Sequence, residues 1–432
     1  MDEPGITRRG LLRAAGVGAA LLAGVRPSPA QEAPVTPLEP FTGPGPNPRW
    51  GSVGPLVQVP GKLPLIQLTD VPVQLETPRA YFTDELTPNA AHFVRWHLDE
   101  HPTKVDLSRW RLRVTGEVEQ ELSLSLADLV SDRFERVTVA AVNQCSGNSR
   151  SRFQPRIAGS QWGNGAMGCA RWTGVRLKDV LAAAKPKAGA TQVQFEALDR
   201  CKGPEGAASH SYVKALALGD GLGGPALENA LLAFAMNDEP LPLLHGFPLR
   251  VVVPGFFSTY WVKALTALRL TSTPCQSFWM AKGYRVPRTP RGTTTPEAAA
   301  ATGDQALPTE PISTMPVRSF VVAPDGEAKL PAGLPVAVRG VAFSGRGAIE
   351  RVEVSTDGGA TWSAATLGPD LGPFAFRAFS LPWTPPKAGR FVLMSRATDA
   401  SGEVQPDEPV WNPGGYLWSR IERQEVVCGP SS

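Results

Sequence analysis

Asn143-Gln-Cys-Ser-Gly-Asn-Ser-Arg150 begins three residues after the end of Arg136-Val-Thr-Val-Ala140, where apolar and polar residues alternate as in a half-buried strand. A cysteine that serves only as a small hydrophobe sits among Val, Leu and Ala. Cys145 sits instead among Gln, Ser and Asn, in a loop whose small residues let a bulky ligand approach the main chain. Arg150, five residues on, favours the thiolate, the form that binds soft metals or attacks electrophiles. A loop cysteine taken alone is more often structural, so its neighbours decide.

Outward from this stretch, Trp110–Thr115, Thr191–Ala197, Leu249–Val253 and Val262–Thr271 read as further strands, Leu124–Val130 as a short helix, and Arg176–Ala184 as an amphipathic helix stopped by Pro186. The pattern is α+β with many loops, and 43 Gly with 43 Pro favours turns and strands over long helices. Residues 31–75, Pro- and Gly-rich at Thr42-Gly-Pro-Gly-Pro-Asn-Pro48, read as an extended arm, 76–285 as a catalytic domain, and 286–312 as a Pro-punctuated linker. From 313 to 432 the pattern is all-β: Val336–Gly340, Arg351–Ser355, a turn at Asp357-Gly-Gly359 and Arg390–Ser395 are spaced as in an immunoglobulin-like sandwich, without the cysteine pair of antibody domains. At 432 residues the chain is too long for one ordinary core, which agrees with two domains. No fixed-period repeat is present.

A net charge of +3 without a basic stripe argues against a nucleic-acid partner. Thr7-Arg-Arg-Gly-Leu-Leu-Arg13, a modest apolar run and Ser28-Pro-Ala30 are similar to a twin-arginine export signal, so residues 1–30 are expected to be cleaved after Ala30, leaving a net charge of +1 and a periplasmic protein. The apolar run from Ala14 to Val25 falls short of the roughly 20 residues of a membrane span. Such a route carries folded proteins, which suits a cofactor inserted before export. Five cysteines, an odd number, leave at least one thiol free or metal-bound.

Two further clusters carry chemistry. In Phe93-Val-Arg-Trp-His97, Arg95 and His97 are two apart on a strand and share a face that can grip an anion; two solvated polar residues would be the plainer reading. His92, His97 and His101 invite a zinc site, but Asp99 and Glu100 do not reproduce His-Glu-x-x-His and Pro102 interrupts a helix. His245-Gly-Phe-Pro-Leu-Arg250, leading to Ser258-Thr-Tyr-Trp-Val-Lys263, sets donor groups around a buried strand, a layout suited to a phosphate-bearing cofactor or, more blandly, to a core histidine with unrelated charges.

Together, Phe93-Val-Arg-x-His97, Gln144-Cys-Ser-Gly-Asn148, Trp162-Gly-Asn-Gly-Ala-Met-Gly168 with Ala170-Arg-Trp-Thr-Gly174, and His245-Gly-Phe-Pro-x-Arg250 resemble the sulfite oxidase family of molybdopterin enzymes, from about residue 76 to 425. The resemblance implies a mixed α/β molybdopterin domain followed by an immunoglobulin-like dimerisation domain, and a molybdenum-molybdopterin cofactor without a nucleotide. It makes Cys145 the metal's thiolate ligand, Arg95 and Arg150 substrate-side cations, Trp162 a pocket wall and Tyr284 the group facing the metal's oxo ligand. Phe93, His97, Asp199, His245, Arg250, Trp261 and Lys263 fall with the cofactor-binding residues, alongside Arg95 and Cys145.

Two positions depart from the animal pattern. Ser149 stands where the first arginine of Cys-x-Gly-Asn-Arg-Arg is usual, and Gly414, in Trp411-Asn-Pro-Gly-Gly415, where Trp-Asn-x-Arg-Gly carries another arginine, so a substrate cation is missing unless Arg420 or Arg346 swings in. The expected reaction is oxidation of sulfite, or a related small sulfur oxyanion, by a homodimer. No Cys-x-x-Cys-His haem motif occurs, so electrons are expected to pass to a separate c-type cytochrome. A sulfane dehydrogenase subunit, a reductase of S-oxides on the same fold, and a cofactor-free secreted binding protein remain alternatives. Cys169, Cys201, Cys275 and Cys428 receive no role.

Overall fold

The computed structural model describes the strand Thr36–Pro37 and residues 54–201, 209–301, 307–408 and 410–430. The export signal and its cleavage point lie outside the described residues. The strand after which Cys145 stands runs Arg136–Gln144: its first half alternates between exposed and half-buried positions, and its last four residues are buried. It pairs antiparallel with Met167–Arg176, from Arg136↔Val175 to Gln144↔Met167, so the stretch between the two strands, from Cys145 to Ala166, is one long hairpin connection. Leu231–Met236 pairs with the other side of Met167–Arg176 and carries Arg250–Val252 in turn.

A second sheet, in the order Val213–Ala217, Gln192–Ala197, Leu265–Thr271, Leu112–Gly116, Leu122–Leu124, is antiparallel except between Leu265–Thr271 and Leu112–Gly116. The helices are short. Leu126–Val130 is started by a capping box in which the Ser125 hydroxyl accepts from the Asp128 N–H and Asp128 accepts from the Ser125 N–H. Leu177–Ala183 ends where Lys185 turns to φ +52°, one residue before Pro186.

Part of the segment read as an extended arm is instead sheet. Leu56–Gln58, Leu65–Thr69 and Gln74–Glu76 pair antiparallel in sequence and end on Val94–Arg95, so this region forms a wall of the site. Its apolar side packs Val57, Leu65, Leu75, Val94 and Trp96 into a small core, and each such residue contributes about 1.5–3 kcal/mol by leaving water. Proline and glycine concentrate in the turns and the strands are short, which hides them from a periodicity reading. The segment read as a linker holds the strand pair Arg285–Pro287 with Thr309–Pro311 and the helix Pro296–Ala301.

The C-terminal region places two sheets around one core. Arg318–Ala323, Val336–Phe343, Arg377–Trp383 and Thr366–Leu367 form one; Lys329–Pro331, Gln424–Gly429, Gly389–Asp399, Ile349–Ser355 and Ser363–Ala364 form the other. Val338, Val352, Val354, Leu393 and Val426, all almost wholly buried, fill the space between. This region meets the rest of the molecule through a buried carboxylate. Glu422 receives Arg79 at 2.8 Å, Arg318 at 2.9 Å, Arg152 at 3.2 Å and both contacts of the Asn164 amide. Burial alone would raise its pKa, but the charges of Arg152, Arg79 and Arg318 outweigh that and hold the carboxyl far below the usual range.

Candidate active site

The Cys145 loop is fixed from both sides. The Cys145 N–H donates to Ala166 O at 2.9 Å, extending the hairpin ladder by one rung. Asn148 braces the connection, its side-chain carbonyl accepting the Ala166 N–H at 3.0 Å and its amide donating to Asn164 O at 3.1 Å. Cys145 is 6% exposed and packs with Phe93, Trp162 and Ala166. Ser149, buried and at φ +65°, donates to Asn164 Oδ1 and accepts from Arg318 Nη2 at 2.8 Å. An arginine of the C-terminal region thus reaches the Ser149 side chain.

On one side of this loop lies a cavity lined by His92, Arg95, His97, Asn143, Asp199, His245, Arg250, Ser258, Trp261 and Lys263, among others. Cations gather round it. Arg250 is wedged between the Trp172 and Trp261 rings, 4.7 and 5.7 Å from their centroids, and donates to His245 O and Trp261 O. Lys263 Nζ lies 3.7 Å from the centroid of Trp96. Lys62, from the strand-bearing N-terminal region, donates to Asn89 O and His92 O and contacts His245 Nε2.

Burial lowers the pKa of each of these groups: to about 7 for Lys62, to about 9 for Arg250, and well below the ordinary values for Lys263 and His245. Asp199 is the acid lining the cavity, and burial raises it to about 6. Desolvated cations that outnumber their counter-ions call for a multiply charged anion. The buried Arg250 Nε and Trp96 Nε1 also have no hydrogen-bond partner among the described residues. A pterin with its phosphate meets both needs, so the residues present fit the cofactor. Gly168 lies behind His92, where a Cβ would fall 2.6 Å from the ring, which explains a glycine in that motif.

Adjoining this cavity through Arg95, His97 and Tyr212 is an aromatic corner. Tyr284, 9% exposed and at φ +53°, an uncommon conformation for an aromatic residue, holds its hydroxyl 2.6 Å from His97 Nε2 and 3.5 Å from Arg95 Nη2. Burial raises the Tyr284 pKa, so the phenol stays protonated near neutral pH. His97 stacks on Tyr212 at 3.9 Å between centroids. Lys214, brought down to about 7 by burial, lies 4.8 and 5.4 Å from the Tyr260 and Tyr284 ring centroids.

Arg150 is placed differently from a free substrate fork. Its two Nη groups donate to Ser160 O at 3.2 Å and Gly414 O at 3.1 Å. Gly147, Gly159 and Gly415 crowd the guanidinium so closely that Cβ atoms there would come within 2.7, 3.1 and 2.9 Å of it. Neither Arg420 nor Arg346 fills the corner left by Gly414: the first donates to Asp407 O at 2.6 Å, the second pairs with Glu403 at 3.1 Å. The Tyr416 ring fills it, 2.3 Å from where a Gly414 Cβ would stand.

Phe93, Arg95, His97, Asp199, His245, Arg250, Trp261 and Lys263 line the cavity, whereas Arg420 and Arg346 lie in other pairings. His97 serves two places, lining the cavity and holding the Tyr284 hydroxyl. His92 belongs to the cavity wall, its ring 5.2 Å from His245, and residues 92–101 are not helical, so the spacing of His97 and His101 does not align them on a helix face. Lys62, Tyr212, Lys214 and Tyr416 were not anticipated. Lys62 alone left a signal, a lysine set between Gly61 and the apolar Leu63-Pro-Leu-Ile66.

The fold and this cation-lined cavity define a molybdopterin-binding oxidoreductase. Residues 98–279 match the family described as oxidoreductase molybdopterin binding domain, and residues 309–425 the Mo-co oxidoreductase dimerisation domain. The chain belongs to the sulfite oxidase family, whose cofactor is molybdenum-molybdopterin. It is 38% identical to sulfite oxidase from Gallus gallus over 371 residues, 81% of this chain and 75% of that protein. It is 36% identical to mitochondrial sulfite oxidase from Rattus norvegicus over 82% of this chain, and it spans 64% of the rat protein's length. The nitrate reductase of Hordeum vulgare is 29% identical over 82% of this chain and 40% of its own length. Among solved structures, the sulfane dehydrogenase SoxCD from Paracoccus pantotrophus superposes with a TM-score of 0.69 at 25% identity, covering 83% of this chain and 85% of that one.

Proposed function

We propose that this chain oxidises sulfite to sulfate: sulfite and one water give sulfate, two protons and two electrons, and the electrons leave one at a time to a separate c-type cytochrome. The observation that carries this reading is the convergence of Arg95 and His97 on the Tyr284 hydroxyl, beside the buried Cys145. Cys145 Sγ would bind the metal, and Lys62, Arg250, Lys263 and His245 would hold the pterin and its phosphate. When bound, the cofactor supplies two-electron oxygen-atom transfer. Arg95 provides positive charge for the entering anion. Tyr284, fixed by two partners, presents an oriented polar group without reorganising, and the wall of Trp162 and Phe93 excludes water. The protein is exported folded to the periplasm and pairs as a homodimer through an immunoglobulin-like C-terminal domain.

Oxidation of a sulfane sulfur is a second reading, favoured by the likeness to SoxCD and by the aromatic corner at Tyr416. One assay separates the two. Molybdenum-loaded protein mixed with sulfite and oxidised cytochrome c should reduce two haems per sulfite consumed. Failure to reduce the cytochrome, or any artificial one-electron acceptor, with sulfite while a sulfane donor does so would replace the first reading with the second.

A further inference from the structure

The aromatic corner holds a residue to which no role has been given. Tyr416 lies in a loop clamped by Asn412, a fully buried amide that donates to Tyr416 O at 2.8 Å and accepts the Tyr416 N–H at 3.1 Å. Both main-chain groups of the residue are thereby fixed, and its ring is aimed rather than free. The ring covers Arg150, 5.3 Å from the guanidinium carbon to the ring centroid, and lies 5.7 Å from the Tyr284 ring at an interplanar angle of 37°.

These contacts set the charge offered to a substrate. Each Arg150 Nη group donates to a main-chain carbonyl and the guanidinium face lies against the Tyr416 ring, so the Nη pair is not free as a planar fork, while the buried Nε has no partner among the described residues. Arg95 spends Nη1 on Trp96 O and turns Nη2 towards the Tyr284 hydroxyl. A doubly ionised oxyanion entering this corner loses its water and meets partly satisfied cations and the electron-rich face of a phenol ring. A singly charged species with an uncharged substituent on sulfur loses less hydration and places that substituent against the ring.

We propose that Tyr416 is a specificity-determining residue, and that by capping Arg150 it turns the substrate corner towards singly charged sulfur compounds, hydrogensulfite and species with an apolar or sulfur substituent alike, at the expense of fully ionised oxyanions such as sulfate. The inference rests on the reading above in one respect, that substrate enters beside Cys145 and Tyr284.

The test is calorimetric and uses the molybdenum-loaded protein. Sulfate and methanesulfonate present the same three-oxygen face but differ by one charge and a methyl group. The native protein should bind methanesulfonate at least as tightly as sulfate. Tyr416→Gly combined with Gly414→Arg, which removes the ring and restores a cation in the space it leaves, should move the affinity ratio about tenfold towards sulfate, the scale of one charge-assisted hydrogen bond. Tyr416→Phe, which keeps the covering ring, should retain the native ratio. Should the double variant fail to keep its metal, Tyr416→Ala alone should shift the ratio in the same direction by about threefold. A native preference for sulfate of more than tenfold, or a ratio unmoved in the ring-deleting variants, overturns the inference. Turnover of sulfite by the native protein judges the proposed function separately, since the binding ratio can move whether or not sulfite is oxidised.

Discussion

The cavity and the aromatic corner that adjoins it treat positive charge differently. In the cavity, Lys62, Arg250 and Lys263 are stripped of water, with Asp199 the acid lining the space and the Arg250 Nε left without a partner among the described residues. In the adjoining corner, the Arg150 Nη groups are held by Ser160 O and Gly414 O under the Tyr416 ring, while its buried Nε, like that of Arg250, has no partner among the described residues. A resident polyanion fits the first environment, because the cations there remain costly until it binds. A transient ligand fits the second, where too much free charge would hold a sulfate product as firmly as its precursor.

The comparison breaks most completely at the Cys145 thiol. Cys145→Ser should cut turnover by about a thousandfold or more while leaving thermal unfolding near native, since a hydroxyl fills almost the same space; retained turnover in steady-state assays would remove Cys145 from the chemistry. Behind the corner, Glu422→Gln should destabilise the protein by about 3–5 kcal/mol, the scale of breaking a buried ion pair and leaving charge uncompensated. The three arginines depress the folded-state pKa of Glu422, so its contribution is fully present above the ordinary glutamate range and is lost as pH falls through the lower folded value. The gap in melting temperature between native and Glu422→Gln should therefore be wide at neutral pH and begin to narrow only below about pH 4. A gap independent of pH would show that the carboxylate charge is not what joins the two regions.

On the cavity side, Arg250→Gln should lower molybdenum content per chain by about tenfold in cells given ample metal, read by elemental analysis; full occupancy would mean that the cavity does not hold the cofactor through its cations. The smallest effect sharpens the corner. Arg95→Gln should raise KM for sulfite about tenfold with a lesser change in kcat, because one charge-assisted contact is lost. An unchanged KM would take Arg95 out of substrate binding.

Much of this arrangement was legible because it is local. The strand ending at Gln144 alternates in sequence, and the loop after it is too polar for an idle thiol. Charged residues along 93–97 and 245–263 are close enough in the chain to be read as groups. The rest depends on pairings between distant segments. Lys62 meets His245 across 183 residues and Arg150 meets Gly414 O across 264, and nothing in either segment announces the other. The Pro- and Gly-rich start of the chain concealed short strands because their turns dominate the composition. Tyr416 was hidden differently: the sequence showed a missing arginine at Gly414, but that a ring two residues later occupies its space follows only from the path of the loop.

The central claim is that Cys145 binds the metal beside these two environments. Molybdenum X-ray absorption on native protein and on Cys145→Ser tests it most directly. One sulfur fewer around molybdenum in the variant, with the remaining scatterers unchanged, is the predicted result, and an identical sulfur shell in both proteins would contradict it.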